Sequence, residues 1–286
     1  MEELGREMLI ERPTIMPAIL KAKNAGYHVL VAGFCNRHPL YMEADEFWGL
    51  IPARSNDPGF IRWYESEMKN RVGEFSHEHG VHKEHLHPGR GLNLLSESIM
   101  AFCPLPRSSP SAIATAKKIV DGKHYLTVCP RKVDDVPRQL NAWQEFIDAI
   151  RNDGRSKGLE IISTTPKTHS ASLSGVKYLQ DLVGLNDLLD VELALHANAD
   201  CCVTTNTGAV GLMIFANAKT IVILGGTGGF APGWNGMNDL VAKENGIKPS
   251  TLVLVPGNVC NCENQAQKKM AMDMADMTAK VLWPSG

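Results

Sequence analysis

Short apolar runs alternate with helical patterns through the second half of the chain. Runs rich in β-branched residues and leucine are typical of strands that a sheet buries on both faces. Five such runs occur, at 124–130, 159–166, 201–205, 220–226 and 251–257. Strands that alternate with helices predict parallel pairing through right-handed crossovers, and therefore a three-layer α/β domain.

Apolar residues spaced three and four apart predict the intervening helices, because such residues share one helix face. The first face is Leu140, Trp143, Ile147 and Ile150. A second helix begins at Asn186 or Asp187 as N-cap, and 208–218 predicts a short helix packed closely by small residues. The last helix has a methionine-rich face formed by Met270, Met274, Met277 and Val281.

The first hundred residues are less regular. They predict a helix, a turn at Gly26 and a strand at His28–Ala32, followed by a stretch broken by glycine, proline and histidine. The stretch 103–111 has three prolines and no apolar periodicity, which places an interdomain linker at 105–118. The predicted units are therefore 1–104, the linker 105–118, 119–263 and the terminal helix 264–286.

Composition excludes some classes of protein. Of 286 residues, 29 are Lys or Arg and 31 are Asp or Glu, for a net charge of -2. This balance disfavours a protein that binds nucleic acid or anionic membrane over its whole surface. The acidic N-terminus lacks the basic region of a signal peptide, and no apolar run approaches the ~20 residues that span a bilayer. We therefore expect a cytoplasmic protein without a transmembrane segment. The cysteines at 103, 129, 201 and 202 lie in apolar runs and are expected to be buried free thiols.

Candidate ligand-binding residues follow three strands, where open α/β sheets bind their ligands. Arg131 and Lys132 come after the first strand and could neutralise a diphosphate, although such pairs also occur in solvated turns. Thr205, Asn206, Thr207 and Gly208 join the 201–205 strand to a helix. Their hydroxyls and N–H groups could bind an anion. Alternatively, they could form an ordinary capped helix start with Asn206 or Thr207 as cap.

Gly225 and Gly226 begin a glycine-rich loop after the fourth strand. The glycines could allow a ligand to approach the backbone closely, or the loop could simply be flexible. The loop is not a G-x-x-x-x-G-K-[ST] phosphate loop. A G-x-G-x-x-G fingerprint is also absent from the first strand–helix unit, which counts against a nicotinamide enzyme. Together, the three strand ends predict a phosphate-bearing ligand.

Histidines cluster between 77 and 87, where imidazoles could bind a metal or an acceptor. Interleaved glutamates and the absence of zinc-protease spacing favour a polar surface loop instead, so no metal is predicted. Near the N-terminus, Glu3 and Glu7 flank Gly5, and such a loop could present Glu7 as a general base or be an exposed acidic helix start.

In this order, these features resemble nucleotide-sugar-dependent glycosyltransferases of the GT-B fold, in particular the heptosyltransferase-like group. GREMLIERPTI resembles that group's N-terminal glycine-acid loop, and CPRKVDDVPRQLNAWQEFIDAI its strand, basic turn and helix. The most specific likeness is DLVGLNDLLDVELALHANADCCVTTNTGAVGLMIFANAKTIVILGG. Asn206 departs from the group's usual aspartate, and the group's first strand has no counterpart before the glycine loop.

The resemblance implies two Rossmann-like α/β/α domains that face a cleft, with a short and irregular N-terminal domain. It implies metal-independent transfer of a sugar from a nucleotide-sugar donor to a hydroxyl acceptor, without another cofactor. Glu7 would be the base, and Glu3, Arg6, His85 and His87 would lie on the acceptor side. The donor would be bound by Arg131, Lys132, Thr205, Asn206, Thr207, Gly208, Gly225 and Gly226. The terminal helix would pack back on the N-terminal domain.

The alternatives are an inactive sugar-nucleotide or glycan-binding protein of this fold and a sugar-nucleotide epimerase. The sequence does not specify the sugar, the nucleobase, the oligomeric state or the acceptor, which could be a glycan, lipid, protein or modified nucleic-acid base.

Overall fold

The computed structural model describes residues 19–20, 22–34, 43–51, 108–131, 140–165, 167, 170, 172–184, 187–205, 207, 209–224, 251–255 and 264–284. Its strands are β1 (Leu30–Phe34), β2 (Glu46–Ile51), β3 (Tyr125–Cys129), β4 (Glu160–Ser163), β5 (Lys177–Tyr178), β6 (Cys201–Thr205), β7 (Thr220–Leu224) and β8 (Thr251–Val255). Its helices are α1 (Pro110–Val120), α2 (Trp143–Asn152), α3 (Leu188–Asn198), α4 (Ala209–Phe215) and α5 (Asn264–Leu282).

Six of the strands form one parallel sheet in the order β5-β4-β3-β6-β7-β8. The chain therefore starts this sheet at β3, builds outward to β5, and then returns to the other side of β3 to continue with β6. This is the strand order of a doubly wound nucleotide-binding sheet. The side on which the chain adds new strands switches between β3 and β6, while all strands remain parallel. β1 and β2 pair in parallel as a separate two-stranded sheet.

Apolar clusters cover both faces of the large sheet. Because side chains alternate along a strand, Cys202 joins the cluster that contains α1, α3 and α4, whereas Cys201 and Val203 join the cluster that contains α2 and α5. Ile19 also belongs to the first cluster. The parallel α/β architecture is thus confirmed, while a second domain facing a cleft stays a prediction.

Helix α1 occupies much of the segment 105–118 that the sequence predicts as a linker. Ser109 caps the helix by accepting a hydrogen bond from the N–H of Ala112 at 3.1 Å, and Pro110 occupies the first turn, where its missing N–H costs nothing. Ala112 and Ala116 are buried against the sheet's first cluster. Residues 110–118 are therefore packed helix, and Pro110, one of the prolines that suggested a linker, lies in its first turn. The boundary between domains stays a prediction.

Helix α5 shows the predicted methionine face, and it ends at Leu282 instead of 286. Met270, Met274, Met277 and Val281 all pack in the cluster shared with α2. The described contacts of α5 are with α2 and with strands β6, β7 and β8. The predicted packing of this helix against 1–104 stays a prediction.

The remaining predicted elements differ from the structure mainly at their ends. Leu140 is buried before α2 begins, and Asp187 is the N-cap of α3, although its side chain makes no capping hydrogen bond. Gly26 adopts a φ of 84° in its turn, and the strand after it, β1, starts two residues later than His28. Among the described helices, none is both long enough and apolar enough to span a membrane.

Candidate functional site

The carboxyl ends of β3 and β6 lie side by side at the point where the strand order reverses. Cys129 pairs in register with Thr204, so Thr205 is the next residue on β6, and Arg131 lies two residues beyond Cys129 at the end of the neighbouring strand. In open α/β sheets this crevice is where ligands bind, because the loops that leave the two strands diverge there. The structure therefore brings together the ends of two segments that the sequence marked separately.

Arg131 is fixed to the sheet by its backbone. Its N–H donates to the carbonyl of Cys129 at 3.0 Å, and it forms an isolated antiparallel bridge with Ser170. The side chain is partly buried, and this burial lowers the pKa of the Arg131 guanidinium. An arginine keeps its charge despite such a shift, so the edge of the sheet carries a partly desolvated cation.

Thr204, Thr205 and Thr207 differ in how their hydroxyls are used. Thr204 Oγ1 donates to the carbonyl of Thr205 at 2.9 Å. Thr207 Oγ1 accepts from the N–H of Ala209 at 3.4 Å and lies 3.5 Å from Thr204 Oγ1. Thr207 thus takes part in the start of α4, as the structural alternative predicted.

Thr205 is different, because its hydroxyl is buried and unused. Its side chain is 1% exposed, and within the described part of the chain Oγ1 has no hydrogen-bond partner. The same is true of Ser163 Oγ at the end of β4 and of Trp143 Nε1 at the start of α2. A buried polar group without a partner is costly, so three such atoms near one edge need a reason.

These three atoms belong to the same side of the sheet. Trp143 packs in the cluster on the α2 and α5 face. Ser163 and Thr205 each follow, by two residues, a strand residue of that cluster, namely Ile161 and Val203, and strand alternation places them on that face too. β4 and β6 both flank β3. The edge therefore offers two hydroxyls and an indole N–H on one face of the sheet around the central strand, and Arg131 follows that strand at the same edge.

An oxygen-rich anion suits this set of groups. A phosphate can accept from the guanidinium and from hydroxyl or indole donors, and charge-assisted bonds of this kind are about twice as strong as neutral ones. A phosphate is therefore the ligand whose chemistry matches donors of these kinds.

Of the predicted site residues, Arg131, Thr205 and Thr207 are described, and all three lie at the ends of β3 and β6. The others lie outside the described residues: Glu3, Arg6, Glu7, His85, His87, Lys132, Asn206, Gly208, Gly225 and Gly226.

Sequence reasoning missed Ser163 and Trp143. Ser163 begins a run of three hydroxyl residues after the apolar part of β4, the same signal that singled out the threonines of β6. Trp143 belongs to the predicted apolar face of its helix and does lie in the core. Its indole N–H was the signal available, because a buried indole N–H normally finds an acceptor.

Comparison of the chain with models of protein families, with curated proteins and with solved structures finds no match.

Proposed function

We propose that the chain is a glycosyltransferase that moves a sugar from a nucleotide-sugar donor to a hydroxyl acceptor. The observation that carries the proposal is that Arg131 and Thr205 lie at the carboxyl ends of neighbouring strands, where the strand order of a doubly wound sheet reverses. The donor's diphosphate supplies the anion for which this edge has donors, and the motif order described above supplies the sugar-nucleotide chemistry.

In this proposal, Arg131 and Lys132 neutralise the diphosphate while Thr205 and the backbone around Asn206 and Gly208 donate to its oxygens. Gly225 and Gly226 allow the donor to approach the backbone closely. Charge builds on the leaving diphosphate as the anomeric carbon becomes oxocarbenium-like, so donors fixed beforehand lower the barrier. Such fixed cations and donors suit transfer that needs no added cofactor.

The acceptor side belongs to the first hundred residues. Glu7 is the proposed base that takes the proton from the attacking hydroxyl, with Glu3, Arg6, His85 and His87 around the acceptor. The proposed architecture is a second α/β domain across a cleft from the large sheet. A cytoplasmic setting, where nucleotide sugars are made, completes the proposal.

Donor binding is tested by isothermal titration of the full chain with UDP, GDP, ADP and CDP. We expect one of them to bind and Arg131→Ala to raise its Kd by about ten- to a hundredfold, the effect of losing hydrogen bonds to a charged group. Arg155→Ala is the matched control, since Arg155 pairs with Asp153 in the turn before β4, at the opposite edge of the sheet. Equal affinity for wild type and Arg131→Ala would remove the phosphate assignment.

Catalysis is tested separately by release of nucleoside diphosphate from a panel of nucleotide sugars with mixed acceptors. Glu7→Gln should abolish turnover and leave donor affinity unchanged, whereas the neighbouring change Glu2→Gln should preserve both. Turnover that survives Glu7→Gln would exclude Glu7 as the base.

Asn206 motivates a second candidate, a sugar-nucleotide-binding protein without transferase activity. Asparagine at that position replaces an aspartate that is usual in the glycosyltransferase group that the sequence resembles, so a carboxylate is lost. Donor binding without transfer to any acceptor in the panel would favour this function. Rearrangement of the donor without an acceptor would instead indicate an epimerase.

A further inference from the structure

A second group of polar side chains is buried on the other face of the sheet, away from the α2 and α5 side. Cys129 at the end of β3 and Glu192 and His196 in α3 place one ligand atom each within 4.8 Å of one another. Cys129 is 3% exposed, Glu192 is 2% exposed and His196 is fully buried. All three belong to the apolar interior between the sheet and α3, where charged groups are rare unless paired.

Glu192 lacks the hydrogen bonds that a buried carboxylate needs. Its Oε1 lies 3.4 Å from His196 Nε2, longer than the 2.7–2.9 Å typical of charge-assisted bonds, and in the described structure its Oε2 has no partner. A weak ion pair repays little of the cost of burying two charges. A carboxylate oxygen this deeply buried therefore points to a cation that the side chains in the described part of the chain do not supply.

His196 is oriented so that one ring nitrogen faces the carboxylate. Its other nitrogen, Nδ1, lies 2.9 Å from Thr127 Oγ1, and that hydroxyl can hold a proton on Nδ1 and leave the lone pair on Nε2. Second-shell bonds of this kind orient metal-binding histidines. Cys129 Sγ is similarly supported, by Thr164 Oγ1 at 3.0 Å.

We propose that Cys129, Glu192 and His196 bind a zinc ion that ties α3 to the carboxyl end of β3. Thiolate, imidazole and carboxylate are the ligands that zinc takes in proteins, and a thiolate with a carboxylate neutralises its two charges. The ion satisfies the unpaired oxygen of Glu192 and fixes the strand that leads into Arg131. This role is structural and does not depend on the proposed transferase activity.

The test is cobalt substitution of the full chain after removal of metal by a chelator. Cobalt bound to a thiolate gives a charge-transfer band in the near ultraviolet, which histidine or carboxylate sites do not give. We expect the band to saturate at about one equivalent of Co²⁺, zinc to abolish it, and the protein purified without chelator to contain about one zinc per chain. A folded protein that contains no zinc and gives no band overturns the proposal.

Variants test whether Cys129 is responsible. Cys129→Ser should lose the band, and the isosteric Glu192→Gln should raise the Kd for Co²⁺ by at least about tenfold. Cys201→Ser is the matched control, because Cys201 is equally buried on the opposite face of the sheet. The double change Cys260→Ser and Cys262→Ser should also keep the band.

Should Cys129→Ser fail to fold, the Cys260→Ser and Cys262→Ser variant still decides. A band lost in that variant means that cobalt binds at 260–262 and overturns the proposal, and a band retained supports the buried site. As a second measurement, circular dichroism of the wild type should show a lower Tm after chelation and full recovery with zinc, since a structural metal adds folding free energy. An unchanged Tm would also contradict a structural ion.

Discussion

Asp190 in α3 accepts hydrogen bonds from both the backbone N–H and the hydroxyl of Ser109, the residue that caps α1. The N–H lies 3.0 Å from Oδ1, and the hydroxyl lies 2.5 Å from Oδ2. Ser109 Oγ also accepts from Ala112, so this one side chain starts α1 and joins it to α3. The contact fixes a helix in a segment whose prolines suggested only a linker.

Ser109→Ala should therefore lower the free energy of unfolding by about 1–2 kcal/mol, the upper range for losing an N-cap, because the bond to Asp190 is lost as well. Urea denaturation followed by circular dichroism measures the change. Ser109→Thr keeps a hydroxyl that can both cap the helix and donate to Asp190, so it should remain close to wild type. Equal midpoints for the alanine and threonine variants would mean that the hydroxyl does not stabilise α1.

The two faces of α5 offer a matched pair of methionines. Met274 is fully buried against the sheet, whereas Met272 on the same helix is 52% exposed. Met274→Ala should cost about 2–5 kcal/mol, the range for large-to-small changes that leave a cavity. Met272→Ala should change stability by no more than about 0.5 kcal/mol, as surface substitutions do.

Equilibrium unfolding of both variants tests whether α5 packs on this sheet in solution. Equal and small losses would contradict the packing seen here.

The environment of Glu160, at the start of β4, predicts that the stability of the fold depends on pH. It lies 2.7 Å from Lys123 Nζ and 3.2 Å from Lys177 Nζ, and the hydrogen bond from Lys123 is the main reason that its pKa is lowered. A carboxyl whose pKa is lower in the folded state stabilises the protein above its unfolded value, near 4.5, and loses that effect as pH falls through the folded value.

We expect wild type to be more stable than Glu160→Gln at neutral pH and the gap to close as pH falls below about 4.5. Urea denaturation across the acid range measures it. A gap that is constant with pH would show that Glu160 acts through packing instead of charge.

The sequence predicted five of the six strands of the large sheet, because β3, β4, β6 and β7 are short and mostly buried and β8 is an apolar run. The two-residue edge strand β5 was not predicted. Cys201–Thr205 was predicted to the residue. Strand order was not predicted, since periodicity says nothing about which strands are neighbours. The position of Arg131 and Thr205 at the ends of neighbouring strands therefore needed the structure.

Helix α3 shows why the buried cluster was missed. The sequence predicted that a helix begins at Asn186 or Asp187, and no role was assigned to Glu192 or His196 within it. The helix is apolar nearly all round, however, and such a helix is enclosed on every side. Two ionisable residues four apart within it had to be buried on one face, and this was the signal available in the sequence.

Adjacent threonines at the end of β6 give the sharpest test of the site. Thr204 and Thr205 are equally buried, but only Thr204 uses its hydroxyl, which donates to the carbonyl of Thr205 at 2.9 Å. Thr204→Val should lower the free energy of unfolding by about 1 kcal/mol, whereas Thr205→Val removes an unsatisfied polar group and should raise it by about 1 kcal/mol. If the Thr205 hydroxyl serves a bound phosphate, the stabilised valine variant should bind the nucleoside diphosphate less tightly than wild type. Urea denaturation and calorimetry of both variants separate the two effects. A Thr205→Val protein that is less stable than wild type and binds the nucleoside diphosphate equally tightly would show that this hydroxyl has a structural role.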